Sequence, residues 1–461
     1  MLHRLKMIAA WCVSASVFVP TTAATLVFGA LAQLVALPWD PDRRVSGLAT
    51  KWLWGAGFFR LNPIFRLVIT GRERAGGRGR IIVANHASML DIPLLMQLPV
   101  PVKITARPGV FRMPVYGWMA SFSGQLSIDP DADVQALITR VRGLLDRGIS
   151  VVVFPEGTRG DGKTLLDFKR GAFELAIRCE AEVLPVALRN TADALARGGP
   201  WSRELWPRVA MHVLPPISSV GRTRRELSRL TKAAIEATLA GPSPLDLSDT
   251  CFTMYRSLGR FAAGFAWGKT RFDPCFWAAW ERLPREGVIL DLGAGEGLLG
   301  SYLHAAGSRV SLVGLDVDEA RIRRARAVAS PGDQYDVGDA RTAPLPEGCA
   351  AVVALDVLHY LQPAEQDAVL ARMVAALAPG GMILLRDPDT DRGAAAAWTV
   401  ASERGMVAAG RHQGEGVHAQ GGAALAARVA ALPGVVEVRV EDASAGPFAN
   451  VLVSARVTSG G

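Results

Sequence analysis

A run of 33 residues without a charged side chain, Met7 to Trp39, constrains this chain more than any other feature. As a single helix at ~1.5 Å per residue it would be about 50 Å long, whereas the hydrocarbon core of a bilayer is about 30 Å thick. Pro20 lies near the middle of the run, where it would break or kink a helix. Basic residues flank both ends, so the positive-inside rule places both ends on the cytoplasmic side. They are Arg4 and Lys6 before the run, and Arg43, Arg44 and Lys51 after it.

These properties predict a helical hairpin that dips into one leaflet of a membrane. A single tilted span is one alternative. A secretory signal peptide is another, because small residues at 22–24 follow an apolar stretch. The apolar run continues well past any cleavage site there, which disfavours a signal peptide.

Net charge divides the chain into two parts. Residues 1–245 contain 31 Lys and Arg against 18 Asp and Glu, a balance of +13, whereas the remainder contains 20 against 25, a balance of −5. The length of 461 residues suits two to four domains, and the breaker cluster at 241–244 predicts a linker. We expect a membrane-associated helical segment over 1–60, one domain over 61–240, a linker over 241–250 and a second domain over 251–461.

Both predicted domains show an α/β pattern. In the first, apolar runs at 81–84, 151–154 and 183–188 predict strands, the last interrupted by Pro185, and 171–177 predicts a helix. From Val288 a second series begins, in which a strand, a glycine loop, a helix, a strand and an acid follow one another. This alternation predicts a layered α/β fold for each domain, the second of them Rossmann-like.

His86 and Asp91 follow the predicted strand at 81–84. On one continuous helix they would lie about 140° apart, so they can meet only if His86 is on the loop that leaves the strand. Asp91 would then accept a hydrogen bond from one imidazole nitrogen and leave the other nitrogen free to act as a base. A lone His near an Asp is more often structural, so the surrounding residues decide the interpretation.

Further polar blocks lie downstream of this pair. The turn after the strand at 151–154 supplies a carboxylate, a hydroxyl and a guanidinium, and cations lie on either side of it. Such a set suits an anionic substrate or coenzyme phosphates, although each block alone would also fit a solvated loop. The residues are Arg107, Glu156, Gly157, Thr158, Arg159 and Lys169.

These blocks, in this order and spacing, resemble the glycerolipid acyltransferase family that contains 1-acylglycerol-3-phosphate acyltransferases, over residues 60–240. The family pattern of a His, four residues and an Asp is matched by His86 and Asp91. The resemblance implies that this pair is catalytic and that an acyl group passes from acyl-CoA or acyl-carrier protein to a hydroxyl. It also implies that the six residues just named bind the acceptor. The second family block is matched at Arg107, Pro114, Gly117 and Trp118.

One departure from this family concerns the acceptor. The second block usually ends in an apolar-Asp-Arg triplet whose Arg helps to hold the acceptor phosphate, whereas this sequence has Ile128-Asp129-Pro130. Pro130 cannot bind phosphate. The acceptor therefore need not be lysophosphatidic acid, although Arg159 still allows a phosphate.

A second constellation begins at Asp291, directly after an apolar strand. Glycines then allow a tight turn and a close approach to a ligand, and Asp316 ends the next strand, where a ribose-binding carboxylate belongs. Residues 295–300 also match the dinucleotide fingerprint GxGxxG, so a nicotinamide or flavin enzyme is the alternative. Acids before the glycines and after later strands disfavour that alternative. The residues concerned are Asp291, Gly293, Gly295, Gly297, Asp316, Asp339 and Asp356.

This series resembles class I S-adenosylmethionine-dependent methyltransferases over residues 285–390. The resemblance implies S-adenosylmethionine as the cofactor. It implies that Asp291 and the glycines line the methionine part, that Asp316 binds the ribose hydroxyls and that Asp339 binds the adenine amino group. Asp356, at the end of the fourth strand, completes the cofactor-binding set.

His359 is open to two interpretations, a base for methyl transfer or a side chain that packs beside the cofactor. Asp387, Asp389 and Asp391 suggest a polar loop at a strand end, because no His or Cys accompanies them as a metal ligand. Dispersed Arg residues without interleaved aromatics disfavour nucleic acid as a partner. Five Cys without CxxC spacing indicate reduced thiols.

Together these features predict a two-activity lipid enzyme at the cytoplasmic face of the inner membrane. Its expected partners are membrane lipids and a CoA or acyl-carrier-protein thioester. One alternative is an acyltransferase for a non-phosphate lipid, with a C-terminal domain that only senses S-adenosylmethionine.

Overall fold

The computed structural model describes residues 2–36, 38–129, 133–195, 205–408, 416–444 and 446–458, with side chains from residue 6 onward. The chain divides into two compact units, Met1–Gly241 and Pro242–Gly461. Each unit contains a seven-stranded sheet with helices, which confirms the predicted α/β class.

The first unit begins with one continuous apolar helix, α1, over Leu2–Ala36. Pro20 lies inside this helix, so the break predicted there is wrong. Proline removes one backbone hydrogen bond, and packing of the adjoining turns outweighs that loss. Phe18, for example, meets Phe58 edge-on at 5.8 Å between ring centroids. Residues Lys6–Ala36 are long and apolar enough to cross a membrane, by length and composition.

The chain turns after α1 and returns as a second helical segment. This segment consists of α2 (Arg44–Ala49), a π-helical turn (Thr50–Ala56) and α3 (Gly57–Leu61). The Ser46 hydroxyl donates to Gln33 Oε1 at 3.0 Å, and Phe58 meets Phe18, so the segment runs antiparallel to the second half of α1. A helical hairpin therefore forms, but its turn lies near residue 40, at the end of the charge-free run, and not at Pro20 as the sequence predicts.

The first sheet has the order β1-β7-β6-β2-β5-β3-β4, and all its pairs are parallel except β6 with β7. Its strands are β1 (Arg66–Thr70), β2 (Ile81–Ala84), β3 (Val102–Ala106), β4 (Leu126–Ser127), β5 (Ser150–Val153), β6 (Val183–Arg189) and β7 (Arg208–Val213). Its remaining helices are α4 (Asp91–Leu95), α5 (Pro108–Phe111), α6 (Tyr116–Phe122), α7 (Val134–Asp146), α8 (Gly171–Arg178), α9 (Thr191–Ala194) and α10 (Arg224–Ala240).

The second sheet has the order β10-β9-β8-β11-β12-β14-β13, in which only β14 runs antiparallel to its neighbours. Its strands are β8 (Glu286–Leu292), β9 (Arg309–Asp316), β10 (Gln334–Val337), β11 (Cys349–Leu355), β12 (Leu377–Pro388), β13 (Val435–Asp442) and β14 (Asn450–Val457). The helices of this unit are α11 (Pro244–Met254), α12 (Arg260–Phe272), α13 (Cys275–Arg282), α14 (Leu298–Ala305), α15 (Glu319–Val328), α16 (Pro363–Ala375), α17 (Gly393–Ala408) and α18 (Gly422–Ala430).

Helix α11 occupies most of the segment predicted as a linker over 241–250. Leu247 and Cys251 on this helix are buried in the core of the second unit. Pro244, which signals a breaker in the sequence, is instead the first residue of the helix, where proline is well tolerated.

Candidate active sites

The first candidate site lies where three parallel strands end. Strands β2, β5 and β3 are neighbours in the sheet, so the loops that follow them meet at one edge. These loops carry His86, the turn at 156–159 and Arg107. The structure therefore brings together blocks that are up to 70 residues apart in sequence.

His86 and Asp91 form the predicted pair. His86 Nδ1 lies 2.7 Å from Asp91 Oδ2, which also accepts the backbone N–H groups of Ala87 at 2.7 Å and Ser88 at 2.8 Å. Asp91 is completely buried, and the His86 ring stacks on Phe154 at 4.0 Å between centroids. Because Nδ1 donates to the carboxylate, the imidazole is held in the tautomer whose Nε2 can accept a proton.

Glu156 has a different position from the one implied for an acceptor-binding residue. Its two carboxylate oxygens accept the backbone N–H groups of His86 at 2.8 Å and Leu166 at 3.0 Å, and burial raises the pKa of this carboxyl. Asn85 ties the same loop to β6 by two hydrogen bonds with the backbone of Leu188, at 2.7 and 2.8 Å. Both side chains therefore hold His86 in place, a role that the sequence does not reveal.

Cationic residues surround the mouth of this site. The Arg107 guanidinium donates to the Gly157 carbonyl at 2.7 Å, which links the loops after β3 and β5. Lys169 reaches the same turn, since a Cβ on Gly157 would lie 2.7 Å from its Nζ. Thr158 and Lys169 are exposed and Arg159 is half-buried, so their polar groups can face a ligand. Pro130 lies outside the described residues.

An apolar cavity of about 150 Å³ adjoins the His86 loop. Met89 and Leu90 of that loop line it, and the Ser88 hydroxyl donates to the carbonyl of another lining residue, Leu195, at 2.7 Å. Its remaining lining residues are Phe18, Trp54, Phe58, Pro93 and Tyr116. This lining is apolar and suits a hydrocarbon segment of a substrate.

The second candidate site is the glycine loop after β8. Gly293, Gly295 and Gly297 all have positive φ, between 54° and 76°, which favours glycine. A Cβ on Gly293 would lie 2.3 Å from the Val357 side chain, whereas a Cβ on Gly295 would meet nothing within 4 Å. The loop therefore packs tightly at Gly293 and leaves open space at Gly295, as a ligand-binding loop requires.

Asp291 and Asp316 lie at the carboxyl ends of the neighbouring strands β8 and β9. Burial, together with the nearby charge of Asp316, raises the pKa of Asp291 to about 8. Asp316 Oδ2 accepts the Gly295 N–H at 2.9 Å, so this carboxylate also shapes the loop. A bound ammonium group would stabilise the ionised form of Asp291, and these residues therefore fit the amino-acid part of S-adenosylmethionine.

Asp339 and Asp356 lie in ion pairs. Asp339 pairs with Arg341 at 2.6 Å, and this partner lowers the pKa of Asp339. Asp356 has φ 60° and pairs with Arg386 at 2.6 Å and with Lys269 at 3.6 Å. A cofactor would therefore reach carboxylates that already have cationic partners.

His359 is completely buried, and its Nδ1 lies 2.8 Å from Asp387 Oδ1. Burial alone would lower the pKa of His359, but Asp387 outweighs that effect and raises this pKa to about 10. The contact with Asp387 favours the protonated imidazole, which agrees better with packing than with action as a base. Asp389 accepts the Gly422 N–H at 2.9 Å and lies 3.3 Å from the Arg392 guanidinium.

Comparisons with known proteins match both units of the chain. The acyltransferase family model matches residues 66–189, and a methyltransferase domain model matches residues 289–381. The 1-acyl-sn-glycerol-3-phosphate acyltransferase of Salmonella typhimurium is 30% identical over 197 residues, which cover 41% of this chain and 79% of that protein. Its chloroplast counterpart in Arabidopsis thaliana is 34% identical over 167 residues, 35% of this chain and 46% of that protein. The chain thus spans about half the length of the plant relative.

Two solved structures are also similar. The 1-acyl-sn-glycerophosphate acyltransferase from Thermotoga maritima is 21% identical, with a TM-score of 0.43, over 52% of this chain and 99% of that chain. An S-adenosylmethionine-dependent methyltransferase from Mesorhizobium loti is 21% identical, with a TM-score of 0.32, over 39% of this chain and 96% of that chain. The chain belongs, through its first unit, to the acyltransferase family that contains the 1-acyl-sn-glycerol-3-phosphate acyltransferases, and that unit is fused to a domain that matches the methyltransferase domain model.

Proposed function

We propose that the first unit transfers a fatty acyl group from acyl-CoA or acyl-carrier protein to a hydroxyl of a lysophospholipid or another glycerolipid. The observation that carries this proposal is the 2.7 Å contact between His86 Nδ1 and Asp91, on a loop that faces a cationic mouth and an apolar cavity. An alcohol is a poor nucleophile at neutral pH and needs such a base.

The proton moves in two steps. His86 Nε2 takes the proton of the acceptor hydroxyl while the oxygen attacks the thioester carbonyl carbon, and Asp91 stabilises the resulting imidazolium. When the carbon–sulfur bond breaks, the imidazolium returns the proton to the thiolate. The apolar cavity receives the acyl chain, and the cations at Arg107, Arg159 and Lys169 attract phosphate groups of donor or acceptor.

The second unit binds S-adenosylmethionine, which supplies the methyl group when bound. Asp291 and the glycine loop hold its methionine part, Asp316 its ribose and Asp339 its adenine. Asp356 fixes the loop after β11 beside the cofactor. The alternative for this unit, a sensor that binds S-adenosylmethionine without methyl transfer, uses the same residues.

We place the enzyme at the cytoplasmic face of the inner membrane. The support is the apolar helix α1, which leaves Val27, Phe28 and Leu31 exposed, together with the basic excess of residues 1–245, which favours anionic lipid headgroups. The proposed donors, thioesters and S-adenosylmethionine, are cytosolic. The domain boundary that we predict at residue 60 falls just before the end of α3.

The deciding experiment is an assay of the purified full-length protein with labelled palmitoyl-CoA and palmitoyl-carrier protein. Lysophosphatidic acid and monoacylglycerol serve as acceptors with and without a phosphate. We expect transfer to at least one of them, and none by His86→Gln. Absence of transfer from both donors to both acceptors, with intact S-adenosylmethionine binding, would overturn the acyltransferase proposal.

A further inference from the structure

Helix α12 of the second unit has its large apolar side chains on the outside. Phe261, Phe265 and Phe272 are 83, 48 and 67% exposed. On a helix of 3.6 residues per turn these three positions fall within an arc of about 40°. The opposite face is buried and consists of small residues, Ala262, Ala263, Ala266 and Thr270. A soluble helix normally shows the reverse arrangement, so the outer face of α12 fits an apolar partner.

The charge around this face is also unusual. Residues 250–272 contain four cations and no acid, although residues 246–461 as a whole have more acids than cations. One of the four, Lys269, pairs with Asp273 and Asp356 and is therefore not available to a lipid surface. Arg256 and Arg260 are exposed beside Phe261. Aromatic side chains flanked by cations are typical of helices that lie in the interface of an anionic bilayer.

The position of α12 connects this face to the candidate cofactor site. Just before the helix, the Tyr255 hydroxyl donates to the Glu296 carbonyl of the glycine loop at 2.7 Å. At its other end, Lys269 lies 3.6 Å from Asp356, which follows β11. The segment therefore extends along the sheet edge at which β8 and β11 end, with its Phe residues facing away from the core.

We propose that α12 is a second membrane-contact element, which docks the methyltransferase unit on an anionic lipid surface with the carboxyl edge of its sheet towards the bilayer. The chain already has an apolar helix in its other unit, so a bilayer is an available partner. If the methyl transfer proposed above is correct, and only on that basis, docking by α12 makes a lipid-borne methyl acceptor accessible.

Site-specific photo-crosslinking tests this docking independently of catalysis. The photoreactive amino acid p-benzoylphenylalanine replaces Phe265 in the full-length protein, reconstituted with phosphatidylethanolamine and phosphatidylglycerol vesicles. Position 28, on α1, is the positive reference. Val440, a half-exposed apolar residue of β13 in the same unit, is the matched control. We expect lipid adducts at positions 28 and 265, and severalfold fewer at 440.

The lipid composition provides the second measurement. In vesicles of phosphatidylcholine alone we expect roughly tenfold fewer adducts at position 265, because cations near an anionic surface strengthen docking. Lipid adducts at position 28 without any at 265 would overturn the proposal, and so would adducts from 265 to a second copy of the chain. Binding of S-adenosylmethionine by each variant, measured by calorimetry against the wild-type protein, shows whether the unit is folded. Absence of that binding in the wild-type protein would count against the proposed methyltransferase function and would leave the docking result unaffected.

Discussion

The two candidate sites differ in how their central carboxylates are stabilised. Asp91 in the first unit is completely buried and its Oδ2 accepts three hydrogen bonds, from His86 and from two backbone N–H groups. Asp291 in the second unit is almost as buried, at 4% exposure, and its pKa is raised to about 8. Burial and the nearby charge of Asp316 both disfavour the ionised form of Asp291.

This difference shows which carboxyl is held by hydrogen bonds from its own loop. The first unit holds its base and the partner of that base with groups from its own fold. The second unit has a carboxyl with a raised pKa, whose ionised form a cationic ligand group would stabilise. We therefore expect substitutions in the first site to affect rate most, and changes in the second site to affect ligand affinity.

The largest effect is expected from His86→Ala. Removal of the general base should lower the rate of acyl transfer by about 10²–10⁴-fold. The same variant should bind S-adenosylmethionine with wild-type affinity, because the substitution lies in the other unit. Rates with labelled acyl donor and calorimetry on one preparation give both numbers. Wild-type acyl transfer by this variant would remove His86 from the mechanism.

Asp316→Ala should weaken S-adenosylmethionine binding by about 1.5–3 kcal/mol, the scale of hydrogen bonds to a charged group. The variant also loses the bond from the Gly295 N–H, which shapes the glycine loop. Titration calorimetry on the full-length protein measures the change. Asp336→Ala is the matched control, because that acid is exposed on β10 and pairs with Arg326. Measurable NADH binding without S-adenosylmethionine binding would contradict the cofactor assignment.

Glu156→Gln tests whether the first site is held by its own fold. The amide keeps one acceptor oxygen but turns an NH₂ group towards a backbone N–H, so we expect a loss of about 1–3 kcal/mol in unfolding free energy. Glu174→Gln, at a half-exposed position of α8 that lies 3.7 Å from Arg224, should change this free energy by less than about 0.5 kcal/mol. Chemical denaturation of both variants provides the comparison. Equal stabilities would show that Glu156 does not position the His86 loop.

The sequence predicts the parts of each site that follow strands. His86 lies beside Asp91 and the glycine loop follows β8, as the sequence predicts. Both predictions concern residues that are close in sequence, which the alternation of a strand and the length of the following loop position reliably. The hydrogen-bond and ion-pair partners that distant segments supply could not be predicted from the sequence. Arg386 reaches Asp356 from the next strand, and Glu156 turns inward to the His86 backbone.

Pro20 shows the same limit for the fold. Its local preference favours a break, but packing of α1 against the returning segment decides the outcome. Local sequence rules therefore identify the residues of a site more reliably than they predict the contacts that those residues make in the fold.

The smallest expected effect is the pH dependence of S-adenosylmethionine binding at the second site. Because the folded-state pKa of Asp291 is raised from its ordinary 3.8 to about 8, the ligand-free unit loses stability as pH rises through that window. A ligand ammonium requires the ionised carboxyl, so binding releases a proton at pH 7. We therefore expect affinity for S-adenosylmethionine to rise between pH 6 and pH 8, by at most about tenfold per pH unit.

Calorimetry in two buffers of different ionisation enthalpy measures the proton released on binding. Asp291→Asn should bind more weakly at pH 8 and should lose the pH dependence, because its amide does not titrate. Asp389→Asn is the control, since that buried acid lies at the end of another strand and contacts Gly422 and Arg392. An affinity that stays constant from pH 6 to pH 8 in the wild-type protein would show that Asp291 is already ionised, and the contrast between the two sites would then fail.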